Sequence, residues 1–377
     1  MGGVDDILAL ALEKRFLAAK KLLDTLGGAE AEAVPEEHRA ALRQVDERAT
    51  KCEEVMASWR NAGGGKVVVS EEPVDEVDRN TAADAAVDGE WALGAQMFGT
   101  KTYYKHDDES GLISVLMKGD QDNLPVFEQM SVINEVDLYK TFIPMCSESC
   151  KVLTVSHGEM VAYFYISVAV LSRDAAIHAY GIDCMEEYGT IVLVGNSVDD
   201  FPGADIPFKP AGWGHQTMEV KTFNAVVEIV SPTSARTTII ASVDPKVPLP
   251  RALVNFAIKK LAGLILWLIQ KKAVAISEAK DLEACPHNAA ISGDADFYTN
   301  WLLPKMVRLC KLREWVIPDT GVMVRLIQAA ASASASSIPS DTDTDTTTDA
   351  EESAKLSLLT VFPGLGTSGA SVTDASS

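Results

Sequence analysis

Apolar side chains recur every three to four residues in two stretches at the start of the chain, the spacing of a helix that buries one face. The first stretch ends at Gly27, and the second, with Pro35 in its first turn, ends before Gly63. We therefore predict a helical hairpin over residues 1–62 that packs on the main domain; a docking site for a partner protein is the alternative. The two apolar stripes consist of Leu8, Leu12, Phe16, Ala19, Leu23 and Leu26, and of Leu42, Val45, Ala49, Cys52, Val55 and Trp59.

From residue 100 onward the apolar period changes to two, which is the period of a strand with one buried face. Two short helices interrupt this pattern, one with Pro125 in its first turn and one over 135–142. Because the strands are grouped in sequence and do not alternate with helices, the predicted class is α+β with an antiparallel sheet. The predicted strands cover residues 100–107, 112–118, 152–157, 161–170, 175–184, 190–197, 216–230 and 237–243.

The apolar parity slips within one of these strands. Met218 and Val220 alternate with charged residues, whereas Phe223 and Ala225 continue the apolar series on the opposite parity. An extra residue near Thr222 accounts for the slip, since a bulge places two residues of one strand opposite one of its neighbour. The pattern predicts a bulge or sharp bend in a strongly curved sheet.

A long helix over residues 251–280 follows the strands. One broad apolar face is formed by Val254, Ala257, Leu261, Leu264 and Leu268. The opposite face, polar at first, becomes apolar at Leu266, Trp267 and Ile269, and burying one such side chain is worth about 1.5–3 kcal/mol.

These three side chains must therefore be covered. Either the N-terminal hairpin or the segment 297–315 packs on them, or they form a lid that opens at a membrane surface. In the second case Lys271 and Lys272 meet the lipid headgroups.

The charge of the chain is strongly acidic but unevenly spread. The formal net charge is -21, of which residues 67–90 carry -7 and residues 331–377 carry -6. We interpret 63–90 as an acidic linker and 329–377 as a disordered tail rich in Ser, Thr, Asp and Ala. Without a basic stripe, a nucleic acid is not an expected partner.

The cellular setting is predicted from the termini and the cysteines. The longest apolar run, residues 261–269, is too short to cross a bilayer, and the N-terminus lacks a secretory pattern. Six scattered cysteines favour reduced thiols. We predict a cytoplasmic protein that can bind peripherally to a membrane.

Three segments resemble one protein family, the START domains (steroidogenic acute regulatory protein-related lipid-transfer domains). They are residues 135–153, the pair Arg173 and Asp174, and residues 243–260, which resembles the entry into the family's closing helix. The resemblance implies a START-like domain over 91–283 with the helix-grip fold, a curved antiparallel sheet wrapped around a long C-terminal helix. It also implies an interior tunnel for one lipid of the sterol, phospholipid or sphingolipid class, carried or sensed without chemistry. The family's loop before Arg173 is replaced here by 167–172, so we expect the connection 199–214 to do more of the gating.

Polar residues within otherwise apolar strands are the best sequence candidates for orienting a ligand. These are Tyr163, Tyr165, His178, Tyr180 and Arg236. Alternation leaves open which parity faces the helix, because residues 161–170 are apolar on both. If Arg236 is buried it needs a partner, either a lipid phosphate or a carboxylate such as that of Asp183.

No constellation of residues points to catalysis. His157 and His178 lie near cysteines in sequence, but no nucleophile elbow, metal-ligand spacing or phosphate loop surrounds them. We therefore expect no enzyme activity, no metal and no cofactor. The alternatives are a START-like scaffold for protein interactions and a helix-grip enzyme such as a cyclase.

A helical extension over 284–328 completes the predicted domains. Its segment 296–315, interrupted by Pro304, sets basic residues beside apolar ones. Packing into the core is the first interpretation, and contact with a membrane or a protein is the second.

Overall fold

A computed structural model describes residues 3–26, 34–62, 91–106, 111–168, 171–212, 214–246, 262–279 and 284–336. The predicted linker, most of the tail and residues 251–261 of the predicted closing helix lie outside these residues. The helices are α1 (Val4–Leu12), α2 (Phe16–Leu23), α3 (Glu36–Asn61), α4 (Val126–Asn134), α5 (Met185–Tyr188), α6 (Ala262–Ser277), α7 (Pro286–Gly293), α8 (Leu303–Leu312) and α9 (Val322–Ser336), with a 3-10 helix at Val136–Thr141 and a π-helix at Asp296–Leu302. The strands are β1 (Ala92–Met97), β2 (Thr100–His106), β3 (Ile113–Asp122), β4 (Cys146–Ser156), β5 (Glu159–Val168), β6 (Leu171–Cys184), β7 (Thr190–Ser197), β8 (His215–Thr217), β9 (Glu219–Ser231) and β10 (Ser234–Asp244).

All ten strands of the described residues belong to one open sheet. Its order is β1-β2-β3-β10-β9-β7-β6-β5-β4, and each of these neighbours pairs antiparallel. The short β8 departs from the prediction because it pairs parallel to β6. Helix α6 packs against β1, β2 and β3 and against α4. The α+β class and its helix-grip arrangement are confirmed.

The sheet bends at the predicted place. Ser242 of β10 pairs with Thr222 of β9, whereas the next residue, Val243, pairs with Val220. Lys221 is therefore the extra residue of a bulge, which increases the local twist of the sheet. The bulge inferred from the parity slip is confirmed.

The N-terminal helices cover one face of this sheet. The apolar stripe of α3 is buried against Ile182, Val192 and Val226 of three adjacent strands. The prediction of a single first helix was wrong, because the chain breaks at Lys14, whose φ is 62°. Contacts of Lys14 with the sheet override the helical spacing, and Leu12 is left 74% exposed.

The C-terminal elements share the core on the other face. Side chains of the π-helix, α8 and α9 form one apolar cluster with α4, α6 and β9. Packing of the basic amphipathic segment into the core is thus confirmed. The predicted start of disorder at 329 was wrong, because α9 continues to Ser336 through an Ala-rich stretch with high helix propensity. Among the described helices, none combines the length and the apolar character needed to span a bilayer.

Candidate functional site

A cavity of about 400 Å³ lies between the sheet and the helices that pack on it. Side chains of β3, β5, β6, β7, β9 and β10 line it together with α4, α6 and the π-helix. Six strands can border one cavity of this size only if the sheet curves around it. Its volume lies within the range of roughly 300–1,000 Å³ that is usual for small-molecule sites.

Small residues leave this space open. Ala162, Ala179, Gly181 and Ala225 lie among the lining positions of three strands. Their strand neighbours on the same face are larger and apolar apart from Asp183, and alternation puts every second residue on that face. The larger apolar lining residues of these strands are Met117, Met160, Phe164, Ile177, Ile191, Leu193, Phe223, Val227 and Ile239.

Helix α6 closes the cavity with residues predicted to face outward. Leu266 and Ile269 line it together with Ile265. Leu266 is only 2% exposed and packs on the bare backbone of Gly119, where a Cβ atom would lie 2.7 Å from its Cδ2. Leu266 and Ile269 therefore line the cavity and do not lie on the outer side of α6.

The other residues of the predicted helix differ in where the structure places them. Leu264 and Leu268 are half-buried and are not among the lining residues. Val254, Ala257 and Leu261 lie outside the described residues. Trp267 points away from the cavity and stacks on Phe98. Within the described part of α6, the lining is thus offset from the predicted stripe.

The five polar candidates of the sheet lie on the parity opposite to most of the lining residues of these strands, and Tyr180 alone among the five borders the cavity. The Tyr163 hydroxyl donates to Asp174 at 3.2 Å, and the ring of Tyr165 lies 5.5 Å from that of His215. Arg236 is a surface residue, 3.2 Å from Asp120, and does not pair with Asp183. These polar groups bind other parts of the protein.

Tyr180 contacts an N-terminal helix directly, and His178 is linked to the same helix through Glu159. The guanidinium of Arg48 lies 4.4 Å above the ring of Tyr180, so that this ring packs away from the cavity even though the residue borders it. His178 Nε2 lies 3.0 Å from Oε1 of Glu159, which Arg48 also contacts. Tyr180 thus packs on α3, and His178 shares with Arg48 the carboxylate that joins α3 to the sheet.

The connection expected to gate the site lies on that same outer face. Phe201 contacts the ring of His178, Phe208 contacts that of Tyr163, and the Lys209 amide donates to Asp174. No described residue of 199–214 lines the cavity. Its geometry gives no support to a gating role.

Neutral polar groups line the cavity beside α4, and the protein itself engages nearly all of them. Gln129 Nε2 donates to Gln121 Oε1 at 3.1 Å, which Thr237 Oγ1 also contacts. Asn134 Nδ2 donates to Glu135 at 2.9 Å, and the Tyr139 hydroxyl donates to a backbone carbonyl. The carbonyl oxygen of Gln129 is an acceptor with no hydrogen-bond donor among the described residues.

Three ionisable residues border another part of the cavity. Lys14, Asp183 and Lys305 come from the α1–α2 junction, β6 and α8. Lys305 Nζ lies 3.0 Å from Asp183 Oδ2, and Lys14 Nζ lies 2.8 Å from Glu159 Oε2. Burial raises the pKa of Glu159, but hydrogen bonds from His178, Arg48 and Lys14 outweigh it and hold this pKa well below its usual range.

Sequence reasoning missed two contributions to the lining. One is the pair Phe297 and Trp301 from the π-helix, which stacks with ring centroids 5.3 Å apart. The other is the set of small residues on a single parity of the strands. That set was a usable signal, because small side chains on one face of buried strands leave volume unfilled.

No family model matches the chain, and no curated protein matches it in sequence. Solved structures do. Human STARD10 is 15% identical with a TM-score of 0.45, over 63% of this chain and 89% of that chain. Human StAR-related lipid transfer protein 5 is 14% identical with a TM-score of 0.43, over 54% and 95%. An aromatase/cyclase from a Streptomyces species, Zhui, is 11% identical with a TM-score of 0.25, over 49% and 96%. The likeness is one of fold, and it includes START-related proteins, the family that the sequence motifs resemble.

Proposed function

We propose that this chain binds one lipid in the cavity between its curved sheet and α6 and acts as a cytosolic lipid carrier or lipid sensor, without chemistry. The observation that carries the proposal is the cavity itself, about 400 Å³ in volume and lined almost wholly by apolar side chains. Apolar surface removed from water contributes about 25 cal/mol per Å². A guest that fills this space gains affinity mainly from that term.

The guest is a neutral lipid. The cations among the described lining residues, Lys14 and Lys305, already contact carboxylates, so an anionic headgroup would have to displace a partner. Gln129 Oε1 is a buried acceptor that lacks a hydrogen-bond donor among the described residues. A single hydroxyl on the guest would donate this hydrogen bond. A sterol or another single hydroxylated hydrocarbon fits these conditions better than a phospholipid.

Exchange of the guest takes place at a membrane through movement of α6. Trp267 and Phe98 lie on the side of this helix away from the cavity, with Lys271 Nζ 5.0 Å from the Trp267 ring. Aromatic rings beside a lysine suit the interfacial region of a bilayer. Ile265 and Ile269 reach from the same helix into the cavity.

Binding is favoured over catalysis because the ionisable lining groups are engaged with protein partners. Asp183 and Lys305 contact each other, and Lys14 contacts Glu159. These described acids and bases are therefore paired within the protein and do not act on a guest. Among the described residues, no three His, Cys, Asp or Glu side chains are placed to share a metal ion. The alternative of a scaffold requires the cavity to stay empty.

Native mass spectrometry of the full chain tests the proposal. Protein incubated with phosphatidylcholine vesicles that contain a sterol should retain one sterol per chain, identified by organic extraction. Vesicles without sterol are the control for retained phospholipid. A chain that remains free of any lipid under both conditions contradicts the proposal and leaves the scaffold as the better account.

A further inference from the structure

The junction between α1 and α2 (residues 13–15) belongs to the N-terminal helices that cover one face of the sheet. It also borders the cavity, which is lined mainly from the other face. Lys14 is only 4% exposed and belongs to the lining, although it lies far in sequence from the sheet. Its backbone is in the left-handed region, with φ of 62°, which a side chain other than glycine adopts at a cost. The backbone N–H of Asp183 donates to the Lys14 carbonyl at 2.9 Å and fixes the junction to β6.

A buried ionic cluster anchors this junction to β5. Glu159, 5% exposed, accepts hydrogen bonds from Lys14 at 2.8 Å and from both terminal nitrogens of Arg48 at 2.9 and 2.5 Å. Ser156 Oγ donates to the same carboxylate at 3.0 Å. One carboxylate thus binds a cation from the junction and a cation from α3. Its removal leaves two buried cations facing each other.

A second anchor comes from α8. Lys305 Nζ donates to the Glu13 carbonyl at 3.0 Å and lies 2.7 Å from the Glu13 carboxylate. It also pairs with Asp183 at 3.0 Å, and both Lys305 and Asp183 line the cavity. The junction, the sheet and α8 therefore meet at one place on the cavity wall. None of these contacts involves α6.

We propose that the N-terminal helices form a second closure of the lipid cavity, with Lys14 as its plug, and that their release opens an exit for the guest that is separate from α6. The inference rests on the proposed function, because it concerns the exchange of the same guest. Docking of the N-terminal helices sets how fast a bound lipid leaves. The sheet and α6 set how much is bound.

Release of a fluorescent probe from the full chain tests this. The protein is loaded with diphenylhexatriene, a neutral apolar fluorophore, and mixed with phosphatidylcholine vesicles that carry a quenching headgroup label. Glu159→Gln should speed release by about tenfold, the equivalent of about 1.4 kcal/mol. Glu54→Gln is the matched control, since Glu54 makes an exposed ion pair within α3. Trypsin cleavage at Arg15 reports directly whether the junction has come away from the sheet.

A second variant separates the proposed effect from misfolding of Glu159→Gln. Lys305→Met breaks the anchor from α8 and leaves the Glu159 cluster intact, so faster release from this variant also supports the second closure. Unchanged release from both variants overturns it, as does unchanged release from Glu159→Gln when trypsin cleaves the junction faster. A wild-type chain that takes up no probe overturns the proposed function, whereas uptake with unaltered release overturns this inference alone.

Discussion

The ring of Trp267 on α6 stacks on the ring of Phe98 in the β1–β2 turn, with centroids 4.7 Å apart and planes inclined by 23°. Phe98 has a positive φ of 53° and remains 48% exposed. The turn thus holds an aromatic side chain against the outer side of the helix that closes the cavity. Movement of α6 away from the sheet must break this stack, and contact of both rings with a bilayer would compensate for the loss.

Trp267→Asp should weaken binding to vesicles. The substitution removes an interfacial aromatic ring and puts a charge where lipid contact is proposed, so we expect co-sedimentation with anionic vesicles to fall by about tenfold. Val316→Asp is a matched control, because Val316 is 88% exposed and lies outside α6. Equal co-sedimentation of wild type and Trp267→Asp would rule out α6 as the membrane contact.

Ala162→Phe should abolish lipid uptake while the fold persists. Ala162 is 3% exposed and lies on the cavity face of β5, so an added ring occupies space that a guest needs. We expect uptake of diphenylhexatriene to fall at least about tenfold, with the free energy of unfolding unchanged or raised by about 1 kcal/mol through cavity filling. Val155→Phe adds the same ring at an exposed site of β4 and should bind normally. Normal uptake by Ala162→Phe would show that the guest binds elsewhere.

The elements of the sheet could be predicted from the sequence because alternation and turn residues are local properties. The residues 190–197 form β7 as predicted, and the parity slip located the bulge at Lys221. β1 was missed because Ala92–Met97 has no clear alternation and is 56% exposed at Leu93. Pairing with β2 makes it a strand.

Most of the polar candidates lie on the outer face of the sheet for a physical reason. Polar residues in apolar strands were taken to face a ligand, but Tyr163 and His178 satisfy their hydrogen bonds with Asp174 and Glu159 on the outer face. Other parts of the chain cover that face, and the polar groups there form hydrogen bonds with other residues of the protein. The cavity face is marked instead by small apolar residues such as Ala179, whose significance depends on what lies across the cavity. Contacts between distant segments, such as Lys14 with Glu159, leave no periodic trace in the sequence.

Oxidation should fasten the N-terminal helices to the sheet. Cys52 of α3 and Cys184 of β6 are both 0% exposed, with sulfur atoms 3.4 Å apart. A disulfide between them would close a long loop, for which the chain-entropy estimate is a stabilisation of about 5 kcal/mol.

The hydrogen bond with Cys52 and burial raise the pKa of Cys184 well above that of a free thiol, so the reaction with copper phenanthroline should be slow and faster at alkaline pH. The readout is the urea midpoint before and after reduction. The urea midpoint of Cys52→Ser should not rise on oxidation. A rise in this variant that reduction reverses would assign the effect to other cysteines.

His287 should make the fold sensitive to acid. Its side chain is 0% exposed, and neither ring nitrogen has a hydrogen-bond partner among the described residues. Burial, helped by the charge of Lys272, lowers its pKa from 6.5 to about 4. Between these values the unfolded chain binds a proton that the folded chain does not, so stability falls as the pH falls below 6.5.

The expected cost of this histidine is about 3 kcal/mol between pH 7 and pH 4, since one pKa unit corresponds to about 1.4 kcal/mol. Urea unfolding at a series of pH values measures it. His287→Leu places an apolar side chain at the same position and removes the proton-binding imidazole. The variant should therefore lose less stability on acidification than the wild type. His38→Leu in α3 is the control and should retain the wild-type slope. Parallel slopes for wild type and His287→Leu would mean that acid sensitivity arises elsewhere in the protein.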